Sequence, residues 1–597
     1  MNDVDDTPSA TPVTPTEPSP GDAPDTSSRA PSTSSRATRA SRLRSPLRTS
    51  LALLVLALAL STGIFLRAEG IALKRQLEHD EAVTYLAAAG HEAAFATLTQ
   101  GMYGDHWTPA GRYQSLLRPD RFFAFGRIAS DLDHTDNHPP LYFWLLHVWI
   151  LLFGLRLWSG MALNLIIALG TTAALFGLAH HVLGDLLEAS LVSLIWAASP
   201  PVVETSLMAR NYDLLALFTV LFVWALIVFS RPQRHLRHRD LGALAALTAA
   251  GAATHYHFAL VLVAGGAFAA ARLARRDPRL LLKLTGAVLG GLLLFVAVDP
   301  HFLLSIGRQR AQQTHTPTLA GMETRAHLVW PALRVFFGLD TPTALRWRAG
   351  LASVLRPVGF GVLSARAVFA LLIGAPLAVV LLVGRWRRWL THRLRQVDVR
   401  GLFIAYFLLA IGGETVTLYV TFQSPRYAMM ARYLAAVWPF MAFVPVLLGR
   451  LLGRTGVIIV LLYGLIVVLP AGQQQVLSHK QLNPDPVPTL AKAPAVVVTT
   501  LDRGDLPRIT WFIPPDTPVF AAEPAQLVRD QGRWLTRLQR GDIFVLADSQ
   551  LGRDWPLLQQ VMALLRSRFA LVHLRGGVWG IGRVYRLDPL PPASSSG

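Results

Sequence analysis

Two adjacent acids, Asp80 and Glu81, stand in the run LEHDEAVTYLAA, a few residues past the first long apolar stretch. A carboxylate there can take a proton from a hydroxyl as a general base. The pair can equally be N-terminal charge complementing a helix dipole. A second element is Asp136-Asn137-His138-Pro139-Pro140. Its prolines fix a helix start, and free N–H groups at such a start, with His138 beside them, suit a phosphate. Ala209-Arg210-Asn211-Tyr212-Asp213 follows Pro200-Pro201, and Thr254-His255-Tyr256-His257 closes another apolar run. The paired histidines His255 and His257 lack the third and fourth ligands of a known metal spacing, and anchoring at a membrane interface is their plainer role. Late in the chain, SPRYAMMARYLAAVWPF holds Arg426, Tyr427, Arg432 and Tyr433. Arginines so placed either snorkel to lipid headgroups or grip a lipid-linked phosphate with their planar fork. Glu414 lies inside an apolar run, where an ionisable group is costly and a functional candidate by default.

The elements that must position these residues follow from composition. Of 597 residues, 52% are hydrophobic and only 16% are charged. A soluble protein carries roughly 25% charged residues, so a soluble enzyme is disfavoured and a polytopic α-helical membrane protein is expected. The net charge of +19 would suit a nucleic-acid binder in a soluble chain. Here the arginines flank apolar runs, as membrane orientation requires, and no nucleic-acid partner is expected. With no cysteine, disulfides, thiolate metal sites and cysteine nucleophiles are excluded.

Apolar runs occupy 51–66, 160–180, 187–203, 212–230, 241–255, 257–273, 281–298, 360–384, 401–421, 433–449 and 455–470. The strongly basic short connections RPQRHLRHR (231–239), ARLARRDPR (271–279), RWRRWLTHRLRQ (385–396) and GRLLGR (449–454) should all be cytoplasmic. That parity holds only if the apolar helix at 140–158 lies in the outer interface without crossing. The expectation is therefore eleven spans, N-terminus inside and C-terminus outside. Residues 1–47, rich in Ser, Thr, Pro and then Arg, form a disordered cytoplasmic tail. Residues 48–473 form the transmembrane domain, with outer loops at 69–159 and 299–359. Residues 474–597 alternate short strands (AVVVTT, DIFVLAD, FALVHL) with helical patterns and suggest a small extracytoplasmic α/β domain with a disordered end.

The acidic pair after the first span, the H-P-P-L-Y-F segment, the A-R-x-Y element and the late R-Y-L element together resemble the GT-C membrane glycosyltransferases, in the branch of families 39 and 83. That branch holds protein O-mannosyltransferases, lipid A aminoarabinose transferases and lipopolysaccharide-core galacturonosyltransferases. The resemblance spans about residues 50–450. It implies a multi-pass enzyme of the bacterial plasma membrane that moves a sugar from a polyprenyl-phosphate donor to an acceptor hydroxyl on a lipid, glycan or protein. It implies Asp80 as catalytic base, with Glu81 orienting it or binding acceptor. It implies donor-phosphate contacts from His138 and, with Tyr433, from Arg432. Asn137, Arg210, Tyr212, His255, Tyr256 and Glu414 are candidate pocket-lining residues. No metal ligand is assigned and no cofactor is required, a divalent cation staying open. Phosphate is a good leaving group, so one base suffices and the transfer inverts the anomeric centre. A transporter or lipid flippase is the alternative, with Glu414 its main support.

Overall fold

The structure is a computed structural model describing residues 46–101, 107–136, 138–232, 234–305, 307, 319–339, 399–422, 431–481, 488–547, 555–574 and 582–591. Asn137, Arg426, Tyr427 and the run 360–384 lie outside the described residues. The chain divides into two units, residues 1–49 and 50–597. Of the first, only the opening turn of the helix Pro46–Leu73 is described. All that follows concerns the second.

Among the described residues, six helical stretches are long and apolar enough to cross a membrane: Pro46–Leu73, Ser159–Leu183, Tyr212–Phe229, Pro278–Val298, Gly401–Tyr419 and Arg454–Ser478. The pair Leu186–Ala198 and Pro200–Ser206 meets the same length and composition together, bent by 58° as a broken span or a re-entrant loop. The bend has a local cause. Pro200 and Pro201 offer no N–H to continue the first helix, and proline suits the first turn of the second. The chain is thus a polytopic membrane protein. The expected spans at 241–255, 257–273 and 433–449 appear as the shorter helices His238–Ala252, Phe258–Leu273 and Trp438–Leu451. The apolar run after Pro140 forms Leu141–Phe153, 13 residues. At ~1.5 Å per residue this is roughly 20 Å, well short of a ~30 Å hydrocarbon layer.

Burial separates inner from outer helices. Leu186–Ala198 is buried at every residue but its first. Pro278–Val298 buries only Leu280, Leu284, Gly291 and Phe295, a single stripe. At Gly291 a Cβ would lie 2.4 Å from the Ala245 carbonyl oxygen, so glycine there lets the helix His238–Ala252 come close. Arg67, buried on the first helix, donates to Ser206 Oγ (3.0 Å) and to the Ala197 carbonyl (3.0 Å), tying that helix to both arms of the bent span.

A six-stranded mixed sheet is built from β1 (Thr108–Pro109), β2 (Val496–Val498), β3 (Pro518–Ala521), β4 (Ile543–Ala547), β5 (Phe569–His573) and β6 (Gly582–Pro589), in the order β1-β3-β2-β4-β6-β5. The central β3-β2-β4 pairings are parallel. Side chains alternate across it with period two. Val497, Phe520, Phe544 and Leu546 pack with Leu558, Val561 and Leu565 of the helix Trp555–Arg566. Val496, Val498, Val519, Ile543 and Val545 face the other way, into one core with Leu77, Tyr85, Leu86, Tyr113, Ile128 and Phe143. Both faces are covered, which explains why the central strands read as continuous apolar runs. The segment 69–159 supplies one strand and one covering layer of this sheet, so the end of the chain and its early loop share a core.

Candidate active site

Asp80 sits in the first turn of the helix His79–Ala89. The turn is set by a capping box: Glu78 is the N-cap, and the Glu81 side chain accepts from the Glu78 backbone N–H at 2.8 Å. Gly90, at φ 72°, ends the helix in the left-handed conformation that glycine adopts without strain. Burial pushes the Glu78 carboxyl up to about 8, with Lys74 opposing. Glu81 is fully buried, paired with the equally buried Lys74 Nζ at 2.5 Å and accepting from the Ala209 backbone N–H at 3.1 Å. The two acids therefore face different ways, Glu81 into the protein and Asp80 outward.

Asp80 meets three cations. Its carboxylate pairs with Arg432 Nη1 and lies 3.2 Å from Arg210 Nη2, and His79 Nδ1 stands 3.4 Å away. Burial by itself would raise the Asp80 carboxyl, but Arg210, His79 and Arg432 outweigh it and hold it well below the usual carboxylate range. Arg210 rides on the turn joining Pro200–Ser206 to Tyr212–Phe229. That turn is pinned on several sides. Asn164 Nδ2 donates to the Met208 and Arg210 carbonyls (2.5 and 3.2 Å), and Asn211 Nδ2 donates to Thr254 (2.5 Å). Gly160 admits it, since a Cβ there would lie 2.2 Å from that of Ala209. Arg432, in the 3₁₀ turn Ala431–Leu434, lies over the Tyr433 ring at 5.5 Å. Among the described residues, Nε and Nη1 of Arg210 and Nε of Arg432 are buried without a hydrogen-bond partner. Buried guanidinium donors left open beside one another are a costly arrangement that an anion would satisfy.

A second group lies across Arg210. His138 Nδ1 hydrogen-bonds Asp136 Oδ1 at 3.0 Å, and its ring meets that of His255 edge-on at 5.8 Å between centroids. His255 in turn contacts His257 and Tyr212. Burial, then neighbouring His257, His138 and Arg210, lower the His255 imidazole well below its usual value, so it is neutral. His257 is lowered to about 4, by burial and then by His138. Burial alone would lower the Arg210 guanidinium, but the carboxylates of Asp80 and Asp136 more than compensate. Arg210 thus links the two groups electrostatically.

Asp80, Arg210, Arg432 and Tyr433 come together, as do His138, His255 and Tyr212. Tyr256 turns aside, its hydroxyl 3.4 Å from Asp299 Oδ2. Glu414 sits in the helix Val399–Phe422, and among the described residues no hydrogen bond or ion pair joins it to Asp80, Arg210 or Arg432. Reading from sequence gave Arg210 only a lining place and missed His79 and Asp502. The signal for Arg210 was present, a cation directly after a proline-broken span. None marked Asp502, 422 positions beyond Asp80. For a metal, His79, Asp502 and Asp505 bring one ligand atom each within 4.8 Å of the others. Yet Asp502 Oδ1 already accepts from His79 and from the backbone of Gly504 and Asp505, and Asp505 pairs with Arg508 at 3.1 Å. These groups are satisfied as hydrogen bonds.

Solved structures similar to this chain include ArnT from Cupriavidus metallidurans in the apo state. It is 15% identical, with 90% of this chain and 98% of that one covered at a TM-score of 0.46. The structure of ArnT from Cupriavidus metallidurans bound to undecaprenyl phosphate is 17% identical over the same shares, at a TM-score of 0.41. No curated protein matches the chain. Residues 137–303 match the family model described as dolichyl-phosphate-mannose-protein mannosyltransferase. Over that segment, which holds His138, Arg210 and His255, the likeness to the GT-C membrane glycosyltransferases first read from short motifs is borne out.

Proposed function

We propose that this chain is an inverting glycosyltransferase of the bacterial plasma membrane, moving a sugar from a polyprenyl-phosphate donor to an acceptor hydroxyl on a lipid, glycan or protein. The transfer takes place on the extracytoplasmic face, with the N-terminus cytoplasmic and residues 474–597 outside. One observation carries the reading: two arginines with open N–H donors, the buried Arg210 and the partly buried Arg432, flank a single carboxylate, Asp80. The family match over residues 137–303 supports it.

The chemistry follows from that geometry. Pinned by both arginines, Asp80 is a weak base. A donor phosphate entering beside them takes their open N–H groups and draws their charge away from Asp80, whose basicity recovers. Asp80 then accepts the proton of the acceptor hydroxyl as its oxygen bonds to the anomeric carbon. The bond from that carbon to the phosphate oxygen breaks with its electron pair, and the arginines hold the charge on the departing lipid phosphate. Glu81, tied to Lys74 and the Arg210 turn, orders this site from behind.

The test is the envelope of a strain lacking the gene, complemented with the wild type or with Asp80→Asn. A sugar modification that disappears on deletion should return with the wild type and stay absent with the variant, both chains being present in the membrane at equal level. Full restoration by Asp80→Asn would overturn the reading.

A further inference from the structure

The end of the chain reaches the site through two successive residues. Asp502 Oδ1 accepts from His79 Nε2 at 2.8 Å, and the other ring nitrogen of His79 faces Asp80 at 3.4 Å. The turn that holds Asp502 is built for this approach. The same Oδ1 accepts from the backbone N–H groups of Gly504 (2.7 Å) and Asp505 (3.1 Å), while the Asp502 N–H donates to Thr500 Oγ1 (3.1 Å). A Cβ at Gly504 would lie 2.4 Å from the His79 ring, so only glycine lets the turn lie against the imidazole. Its bonds to Asp502 and then Asp80 push His79 up to about 9, so at neutral pH both ring nitrogens donate. Arg503 turns the other way. Its Nη1 donates to Glu92 Oε1 (3.0 Å) and the Thr135 carbonyl (2.9 Å), and its Nη2 is 4.0 Å from Asp136 Oδ1, the oxygen that holds His138. Burial and then Asp136 raise Glu92 to about 8, against the pull of Arg503. Arg503 thus stands between Glu92 and Asp136, touching both carboxyls.

We propose that Asp502 and Arg503 are positioning residues of the transfer site, Asp502 setting Asp80 through His79 and Arg503 setting His138 through Asp136. This rests on the transferase reading. It gives the β2 end of the sheet a positioning duty: one turn holds the base with one residue and the histidine side with the next.

The experiment is steady-state transfer kinetics on the full chain in liposomes, with a polyprenyl-phosphate sugar as varied substrate and melting temperature measured alongside. Asp502→Asn keeps an oxygen for the turn but removes the charge. It should lower kcat roughly ten- to a hundredfold, the worth of a charge-assisted hydrogen bond, and leave donor KM unchanged. Without Asp502, His79 falls toward its ordinary value of about 6.5. The kcat profile of the variant should therefore gain an ionisation between that pH and the wild-type value of about 9. A merely structural residue would add none. His79→Gln, which leaves the turn whole, should lower kcat in the same way. Arg503→Met should instead raise donor KM roughly two- to fivefold, within the range of one neutral hydrogen bond because it acts on His138 only through Asp136, with kcat little changed.

Wild-type kinetics in both Asp502→Asn and Arg503→Met would overturn the proposal. So would equal losses in kcat and KM that track a lowered melting temperature. A transfer that chelator abolishes and Mn²⁺ restores, with that ion no longer held by Asp502→Asn, would overturn it in favour of a metal ligand. Turnover surviving in Asp80→Asn would instead defeat the transferase reading itself.

Discussion

The two sides of the site solve the problem of a buried anion differently. On the Asp80 side there is charge in excess: one carboxylate, two arginines and a raised histidine, with arginine N–H groups left open. On the His138 side the charge is compensated. His138 rests on Asp136, and His255 and His257 are kept neutral by burial. The contrast teaches which side must change when substrate arrives. Open arginine donors have something to gain from a phosphate, and Asp80 has basicity to gain from losing them. The histidine side has no such exchange to make, so it shapes and orients. The match to the mannosyltransferase family covers the histidine side and Arg210 but stops short of Asp80 and Arg432.

The largest effect is expected at Asp80 itself. Asp80→Asn should cut transfer at least a hundredfold, since a general base contributes ~10²–10⁴-fold, with a smaller fall in melting temperature than at the fully buried Glu81. Next comes its neighbour. Glu81→Gln leaves Lys74 buried without its counter-charge, and breaking a buried pair costs about 3–5 kcal/mol. Its signature should be a lowered melting temperature, which separates Glu81 from Asp80. Arg210→Ala and Arg432→Ala should each weaken donor use roughly ten- to a hundredfold, the range of one charge-assisted contact, read as a rise in donor KM. His138→Ala should lose only about two- to tenfold, the worth of a neutral hydrogen bond, because the contact it forfeits lies on the compensated side. An effect of His138→Ala as large as that of Arg432→Ala would collapse the distinction.

Much of this was legible from residue types alone. The apolar runs marked the spans because a bilayer demands them. The DE pair, the A-R-x-Y element and the R-Y-L element marked three of the parts that meet at Asp80. What the sequence could not reveal was direction. Asp80 and Glu81 are adjacent, and only the helical turn of about 100° per residue sends one outward and the other against Lys74. The strand segments at 496–498, 543–547 and 569–573 were legible as short apolar runs. β1 was not: it is two residues long, Thr108 and Pro109, and acquires its identity from pairing with β3 some 400 residues on. The same long-range closure brings Asp502 to His79.

The exchange of the arginines between Asp80 and the donor phosphate can be measured directly. Purified wild type and Asp80→Asn would be titrated with a polyprenyl phosphate in liposomes, by binding and by turnover with the sugar-bearing donor. In the variant the arginines no longer have a carboxylate to satisfy them. It should bind the lipid phosphate at least as tightly as the wild type while losing at least a hundredfold in turnover, the contribution of a general base. Binding lost in step with turnover, or turnover kept near that of the wild type, would contradict it.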